Sequence, residues 1–331
     1  LFRAYNKLMA KRDNDLEFSI NAAFDDERAV NDTLPLYLVN GSLGAGKTSV
    51  LEFLLRLDEF AGSRVIENEF ANENVDGYRL EGLADIVTTL AGDCVCCSSA
   101  HALTRMLYDF SRSSPAPVFI EATGVARTMN LVERLVSAGV FKRYELAHSF
   151  YIVDAHEILR GVSAAQALEM QAADTVLVTK EDLLTEAEVR DYCKERAALP
   201  YARVLSAPHG RFDAKGLSTP SGLLTFFDEY DGELAIPDNP TYSVIDTSCL
   251  QADGKAYETL WPELVQAYGL RRLKGAFADR RGARRHIEAT PTHVELRTAH
   301  ADEPLKIVLI GDRAEEMTYD VFASQLMMFG E

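Results

Sequence analysis

Leu36-Tyr37-Leu38-Val39-Asn40-Gly41-Ser42-Leu43-Gly44-Ala45-Gly46-Lys47-Thr48 decides how this chain folds. Its opening apolar run is short enough for a strand and continuous enough to be buried on both faces. Gly41 to Thr48 match G-x-x-x-x-G-K-[ST], and Val50, Leu51, Leu54 and Leu55 follow at helical spacing. A strand, a glycine loop and a helix in that order make a phosphate cradle. The glycines let backbone N–H groups point inward, and the helix adds the positive end of its dipole. Gly41, Gly44, Ala45, Gly46, Lys47, Thr48 and Ser49 are the expected phosphate-binding set. Lys47 is expected on the β- and γ-phosphates, and the Thr48 hydroxyl on Mg²⁺.

Further short apolar runs lie at 65–66, 118–120, 150–153 and 176–178, with helical periodicity between them, as at Leu131, Val132, Leu135 and Val136. Strands alternating with helices predict an α/β fold, a mostly parallel sheet covered by helices on both faces. Turn chemistry at Asp231-Gly232 and Pro237-Asp238-Asn239-Pro240 marks a linker. Beyond it, strands are expected at 242–245, 273–277, 285–289, 293–297 and 306–310, and helices at 257–268 and 319–328. The expected organisation is an N-terminal extension over 1–33, a P-loop domain over 34–235 and a smaller α+β domain over 236–331. In the extension, Phe2, Tyr5, Leu8 and Met9 share one helical face and an acidic connector, Asp25-Asp26-Glu27, follows. The chain begins at Leu1 rather than Met, so sequence upstream is expected.

The 331 residues carry 34 Lys plus Arg against 51 Asp plus Glu, a net charge of −17. That balance argues against nucleic acid and anionic membrane surfaces as partners. No apolar run approaches the ~20 residues of a spanning helix. Three of the five Cys crowd into Cys94-Val95-Cys96-Cys97. Crowded thiols in a chain this long point to metal or redox chemistry in a reducing compartment, the cytoplasm.

A phosphate loop needs a carboxylate at a neighbouring strand end. Glu121 follows Val118-Phe119-Ile120, and Gly124 permits close backbone approach to the γ-phosphate. Asp76, between the phosphate loop and the Cys cluster, is a second candidate to orient the Mg²⁺ shell or attacking water. Thr179-Lys180-Glu181-Asp182 stands where guanine-binding loops carry N-K-x-D. There a carboxylate accepts from guanine N1 and N2, and the Lys stem covers the base. Thr179 replaces the usual Asn, leaving Lys180 and Asp182 as the matching residues. Ser206-Ala207 resembles the second base loop of the same enzymes. Soft thiolates at the density of Cys94, Cys96 and Cys97 suit Zn²⁺ or a similar ion. Adjacent Cys96 and Cys97 cannot easily both join Cys94 on one tetrahedral ion, so Glu69 and His101 are candidates to complete the site. A solvated helix histidine is the plainer reading of His101. Cys193 and Cys249 are isolated and read as structural. Arg271, Arg272, Lys274, Arg280, Arg281, Arg284 and Arg285 form a locally basic stretch, either a solvated face or a receiver for an acidic partner.

Together, the P-loop, Asn68-Glu69-Phe70, C-x-C-C, Glu-x-x-Gly and Lys-x-Asp resemble the CobW-like family of GTPases over roughly 34–210. Arg272-Leu273-Lys274-Gly275 is similar to that family's R-x-K-G segment. The resemblance implies a GTP-hydrolysing metallochaperone, with GTP or GDP, Mg²⁺ and Zn²⁺ or Co²⁺ as ligands. It implies metal binding by Cys94, Cys96 and Cys97, and delivery to a client metalloprotein or cofactor-synthesis enzyme. No residue clearly supplies a second positive charge, so slow intrinsic turnover is expected; a partner, or a second copy in a homodimer, would supply it. The rival readings are an accessory GTPase scaffold with a dispensable Cys cluster, a P-loop ATPase or kinase with redox or structural cysteines, and a sensor that barely hydrolyses.

Overall fold

The computed structural model describes residues 33–69, 80, 82–91, 100–122, 127–197, 199, 203–215, 217, 221–229 and 241–328. The N-terminal helix expected within 1–33 and the linker at 231–240 lie outside the described residues. Two compact units form.

In the first unit the described strands are β1 (Leu34–Gly41), β2 (Arg64–Glu69), β3 (Ile86–Ala91), β4 (Val118–Glu121), β5 (Tyr144–Asp154), β6 (Thr175–Thr179) and β7 (Val204–Ser206). They lie in the order β3-β2-β4-β1-β5-β6-β7, and every pairing is parallel. The described helices are α1 (Lys47–Leu55), α2 (Ala100–Ser111), α3 (Thr128–Ser137), α4 (Ala155–Arg160), α5 (Ala164–Ala172), α6 (Glu186–Ala197) and α7 (Leu223–Glu229). Alternation along each strand divides the core. Leu36, Leu38, Ile66 and Ile120 pack with Leu103 and Leu107 of α2 and with Leu131, Val132, Leu135 and Val136 of α3. Val39, Val65, Phe119, Ile152 and Leu177 face the other way, onto Val50, Leu51 and Leu54 of α1. Both faces are therefore buried, which is why these strands read as continuous apolar runs. The expected α/β fold is present, with its sheet wholly parallel. β3 was not anticipated: Thr88 and Thr89 interrupt its apolar run, and as a sheet edge it leaves Ile86 exposed.

The order places β1 at the switch point, with β4 on one side and β5 on the other. Loops leaving the carboxyl ends of these strands must converge there.

The second unit holds β8 (Thr241–Asp246), β9 (Leu270–Ala278), β10 (Arg284–Thr290), β11 (His293–Thr298) and β12 (Lys306–Gly311), with α8 (Gly254–Tyr268) and α9 (Tyr319–Met328). Its sheet order is β11-β10-β9-β12-β8, antiparallel throughout. Ile245, Leu273, Phe277, Ile287, Ile307 and Leu309 form one face, covered by Tyr257, Leu260, Trp261, Phe322 and Leu326. Three residues of the basic stretch pair with carboxylates within this unit. Arg272 meets Glu288 at 2.8 Å, Arg271 pairs with Asp312, and Arg285 lies 3.4 Å from Asp279. Cys193 and Cys249 are exposed free thiols, not packed structural ones. Among the described residues, no helix is long and apolar enough to cross a membrane.

Candidate functional site

β1 runs into the phosphate loop through Gly41, at φ 152°. A Cβ here would lie 2.2 Å from the Ile152 carbonyl oxygen of β5, so only glycine lets the loop leave this close to its neighbour. The loop ends at Gly46, left-handed at φ 90°, as N-cap of α1. No side chain caps α1 and no acid lies in its first turn. The leading N–H groups of that helix face the loop. Lys47 is only 6% exposed; its Nζ donates to the carbonyls of Gly41 (3.2 Å) and Ser42 (3.0 Å), folding the ammonium over the loop.

Glu121 ends β4 and accepts from Thr48 Oγ1 at 3.1 Å. Strand pairing puts Glu67 of β2 level with Glu121, and Glu67 is 2% exposed. Register partners on parallel strands share a face, so two buried carboxylates stand side by side under the start of α1. The sequence reading missed Glu67 because the run before it ends at Ile66 and only pairing reveals its neighbour. Thr48 and Glu121 are hard oxygen donors near one point, a donor set that suits Mg²⁺.

Thr179 ends β6, and its hydroxyl donates to the Ala45 carbonyl at 2.6 Å. This bond fastens the T-K-x-D loop to the phosphate loop. Lys180 is left-handed at φ 58° and reaches Asp154 of β5 at 3.0 Å. Asp154 also caps α4 in a capping box with Glu157. Burial works against its charge, but the Lys180 ammonium and the His156 N–H outweigh it and hold its carboxyl below the usual range. Glu181 accepts from Ser206 Oγ and Tyr192 OH and pairs with Arg196 at 3.3 Å. The two expected base loops are thus joined through Glu181. Asp182 keeps a 37% exposed side chain whose described partner is His209, at 3.8 Å. Ala207 is buried, and its N–H donates to Val178 O at 2.7 Å.

Behind the loop lies a polar layer that sequence reasoning did not find. Asn40 Nδ2 donates to Thr128 Oγ1 (2.7 Å) and Glu169 Oε2 (3.3 Å), and Glu169 also accepts from Thr128 N at 2.8 Å. Burial raises the Glu169 carboxyl pKa, and the Thr128 bonds only partly oppose this. Ser42 accepts from Gln166 Nε2 at 3.2 Å, and Tyr151 and Glu157 hydrogen-bond it too. Only the Asn in N-G-S hinted at such a layer, and its partners come from distant stretches.

Glu69 ends β2, in register with Ala91, three residues before Cys94. His101 is the second residue of α2. Asp76, Cys94, Cys96, Cys97 and Gly124 lie outside the described residues.

Residues 35–202 match the family model described as CobW/HypB/UreG, nucleotide-binding domain. The chain belongs to this family. This CobW/HypB/UreG protein is 32% identical over 199 residues to the zinc chaperone YjiA of Escherichia coli, a match covering 56% of this chain and 61% of that one. It thus spans about three fifths of that relative's length. The zinc chaperone CobW of a Sinorhizobium species is 24% identical over 298 residues, covering 76% of this chain and 83% of its own. Among solved structures, the Zn(II)-bound YjiA GTPase from E. coli aligns at 20% identity, covering 89% of this chain and 99% of the other, with a TM-score of 0.38.

Proposed function

We propose that this protein binds and hydrolyses GTP, takes zinc as cargo on its cysteine cluster, and releases it to a client protein according to the nucleotide bound. The observation that carries the nucleotide part is the bond from Thr179 to Ala45. It joins a phosphate loop to a T-K-x-D loop, which supports one ligand with a phosphate end and a base end lying across both. Asp182 offers two carboxylate oxygens, the complement of guanine N1–H and N2–H; adenine presents no such pair of donors. The relatives' description as zinc chaperones supports zinc as cargo over cobalt.

In this reading, Gly41, Gly44, Ala45 and Gly46 present backbone to the phosphates. Lys47 exchanges its two carbonyl contacts for β- and γ-oxygens. Thr48 and Glu121, with Glu67 beside them, would hold Mg²⁺, which when bound would supply charge neutralisation at the phosphates. Water attacks the γ-phosphorus, the bond to the β–γ bridging oxygen breaks, and GDP and phosphate leave. Positioning and electrostatics carry such a reaction. Zinc would be held by thiolates of the Cys94, Cys96 and Cys97 cluster, with Glu69 as a further oxygen donor from the end of β2. Reduced thiols of this kind suit the cytoplasm.

Coupling must be reciprocal: if GTP tightens zinc, zinc tightens GTP by the same factor. The test is zinc titration of the reduced protein with a non-hydrolysable GTP analogue plus Mg²⁺, and again with GDP plus Mg²⁺. We expect a clear affinity difference that disappears in a Cys96→Ser, Cys97→Ser variant. Equal affinities would sink the cargo reading and leave a GTPase that acts as a scaffold for its partner.

A further inference from the structure

Among the described residues, two that are not glycine have positive φ: Lys180 at 58° and His209 at 51°. Both stand beside Asp182. Lys180 is two residues before it, and His209 approaches from the other base loop, with Nε2 3.8 Å from Asp182 Oδ2. Left-handed backbone disfavours any residue with a Cβ, and such residues persist where the surroundings over-determine them, often at ligand clamps.

The surroundings of His209 do so. Ala207 N–H is bonded to Val178 O at 2.7 Å, and Ser206 is tied to Glu181. Gly210 abuts the first turn of α1 so tightly that a Cβ would lie 2.6 Å from the Ser49 carbonyl. The loop is therefore pinned before and after His209, while the imidazole is 79% exposed. Nothing in the core needs a ring there, and a glycine would hold the turn without strain. The rigid turn presents a planar, exposed side chain beside the Asp182 carboxylate.

Resting on the guanine-site reading above, we propose that His209 is a base-binding residue: its ring packs on the purine from the second loop, across the site from Lys180. The ligand is a guanine nucleotide whose N1–H and N2–H reach Asp182, so the imidazole and the lysine stem flank one base. Asp182 and His209 then form a matched pair, one reading the edge of the base and the other covering its face.

The test measures equilibrium binding of GDP, ADP and xanthosine diphosphate with Mg²⁺. His209→Ala should weaken GDP about tenfold, the usual scale for losing one ring on a base. His209→Phe, which keeps a ring, should stay within about threefold of the parent. His209→Gly should lose GDP affinity as Ala does while melting higher, because it relieves the left-handed strain. Loss of affinity in a protein that has become more stable cannot be misfolding. Unchanged GDP affinity in both His209→Ala and His209→Gly overturns the inference. Asp182→Asn separates it from the guanine-site reading. Asn offers an N–H₂ where xanthine has a carbonyl in place of the amino group, so this variant should lose GDP and gain xanthosine diphosphate. If Asp182→Asn makes that switch while the His209 variants change nothing, only His209 is misassigned. If Asp182→Asn also leaves GDP binding unchanged, the guanine site itself is wrong.

Discussion

The hydroxyl of Thr179 donates to the carbonyl oxygen of Ala45 across 2.6 Å, between a strand end and a glycine loop 134 residues apart in sequence. Both atoms are buried, so this bond resists competition from water. A short hydroxyl donor at this position thus reaches the phosphate loop directly.

Thr179→Val removes that donor with little change of shape and leaves a buried carbonyl under-satisfied. We expect a stability loss of about 1–2 kcal/mol, together with weaker binding of GDP. Thr179→Ser keeps the donor and should restore both. Urea denaturation and GDP titration check this; Val matching the parent in both would show the tether to be idle.

Glu121→Gln keeps the shape of the β4 end but halves the charge that two neighbouring carboxylates bring to the phosphate loop. The expected result is GTP hydrolysis reduced by roughly 100-fold or more, with Mg²⁺ no longer tightening GDP. Binding of GDP in the presence of a chelator should hardly change. A variant that hydrolyses GTP at the parental rate would remove Glu121 from the reaction.

Glu181 is the clasp between the base loops. Glu181→Ala releases Ser206, Tyr192 and Arg196 together, and an expected cost of about 1–3 kcal/mol follows from unpaired part-buried groups. The preference for GDP over ADP should narrow, because Asp182 and the second loop lose their fixed spacing. Retention of full preference would show the loops to be independently rigid.

Two buried acids pull stability in opposite directions with pH. The folded Asp154 pKa is lowered, so its pairing with Lys180 contributes above the unfolded carboxylate value and is lost as pH falls through the folded one. The folded Glu169 pKa is raised by burial, so the folded state holds its proton more tightly; that contribution is present in acid and lost as pH rises through the folded value. Glu169→Gln, which can still accept from Thr128 N and Asn40, should flatten that part of the profile and melt higher than the parent at neutral pH. Melting curves from pH 4 to 8 decide it; a lower melting temperature for Gln at neutral pH would contradict the account.

Much of this is legible in the sequence because both faces of the sheet are buried. Val118-Phe119-Ile120 and Val176-Leu177-Val178 announce themselves as strands, and a charged or turn residue marks where each stops. What escapes depends on pairing between distant strands. Glu67 looks like the polar end of a two-residue run until β2 is laid against β4. Asn40, Thr128 and Glu169 have no common motif; they meet because α3 and α5 pack behind β1. Thr179 reads as a departure from a motif until Ala45 is placed beside it. β3 escapes because an edge strand needs no continuous apolar run.

The long strand β5 has a practical bearing on how the molecule is handled. Its 11 residues rise about 3.3 Å each, so the turn containing exposed Lys142 sits roughly 30 Å of strand from the carboxyl edge where Asp154 lies. A dye or surface anchor coupled at position 142 would sit at the opposite end of β5 from Asp154, giving single-molecule and immobilised assays a natural handle.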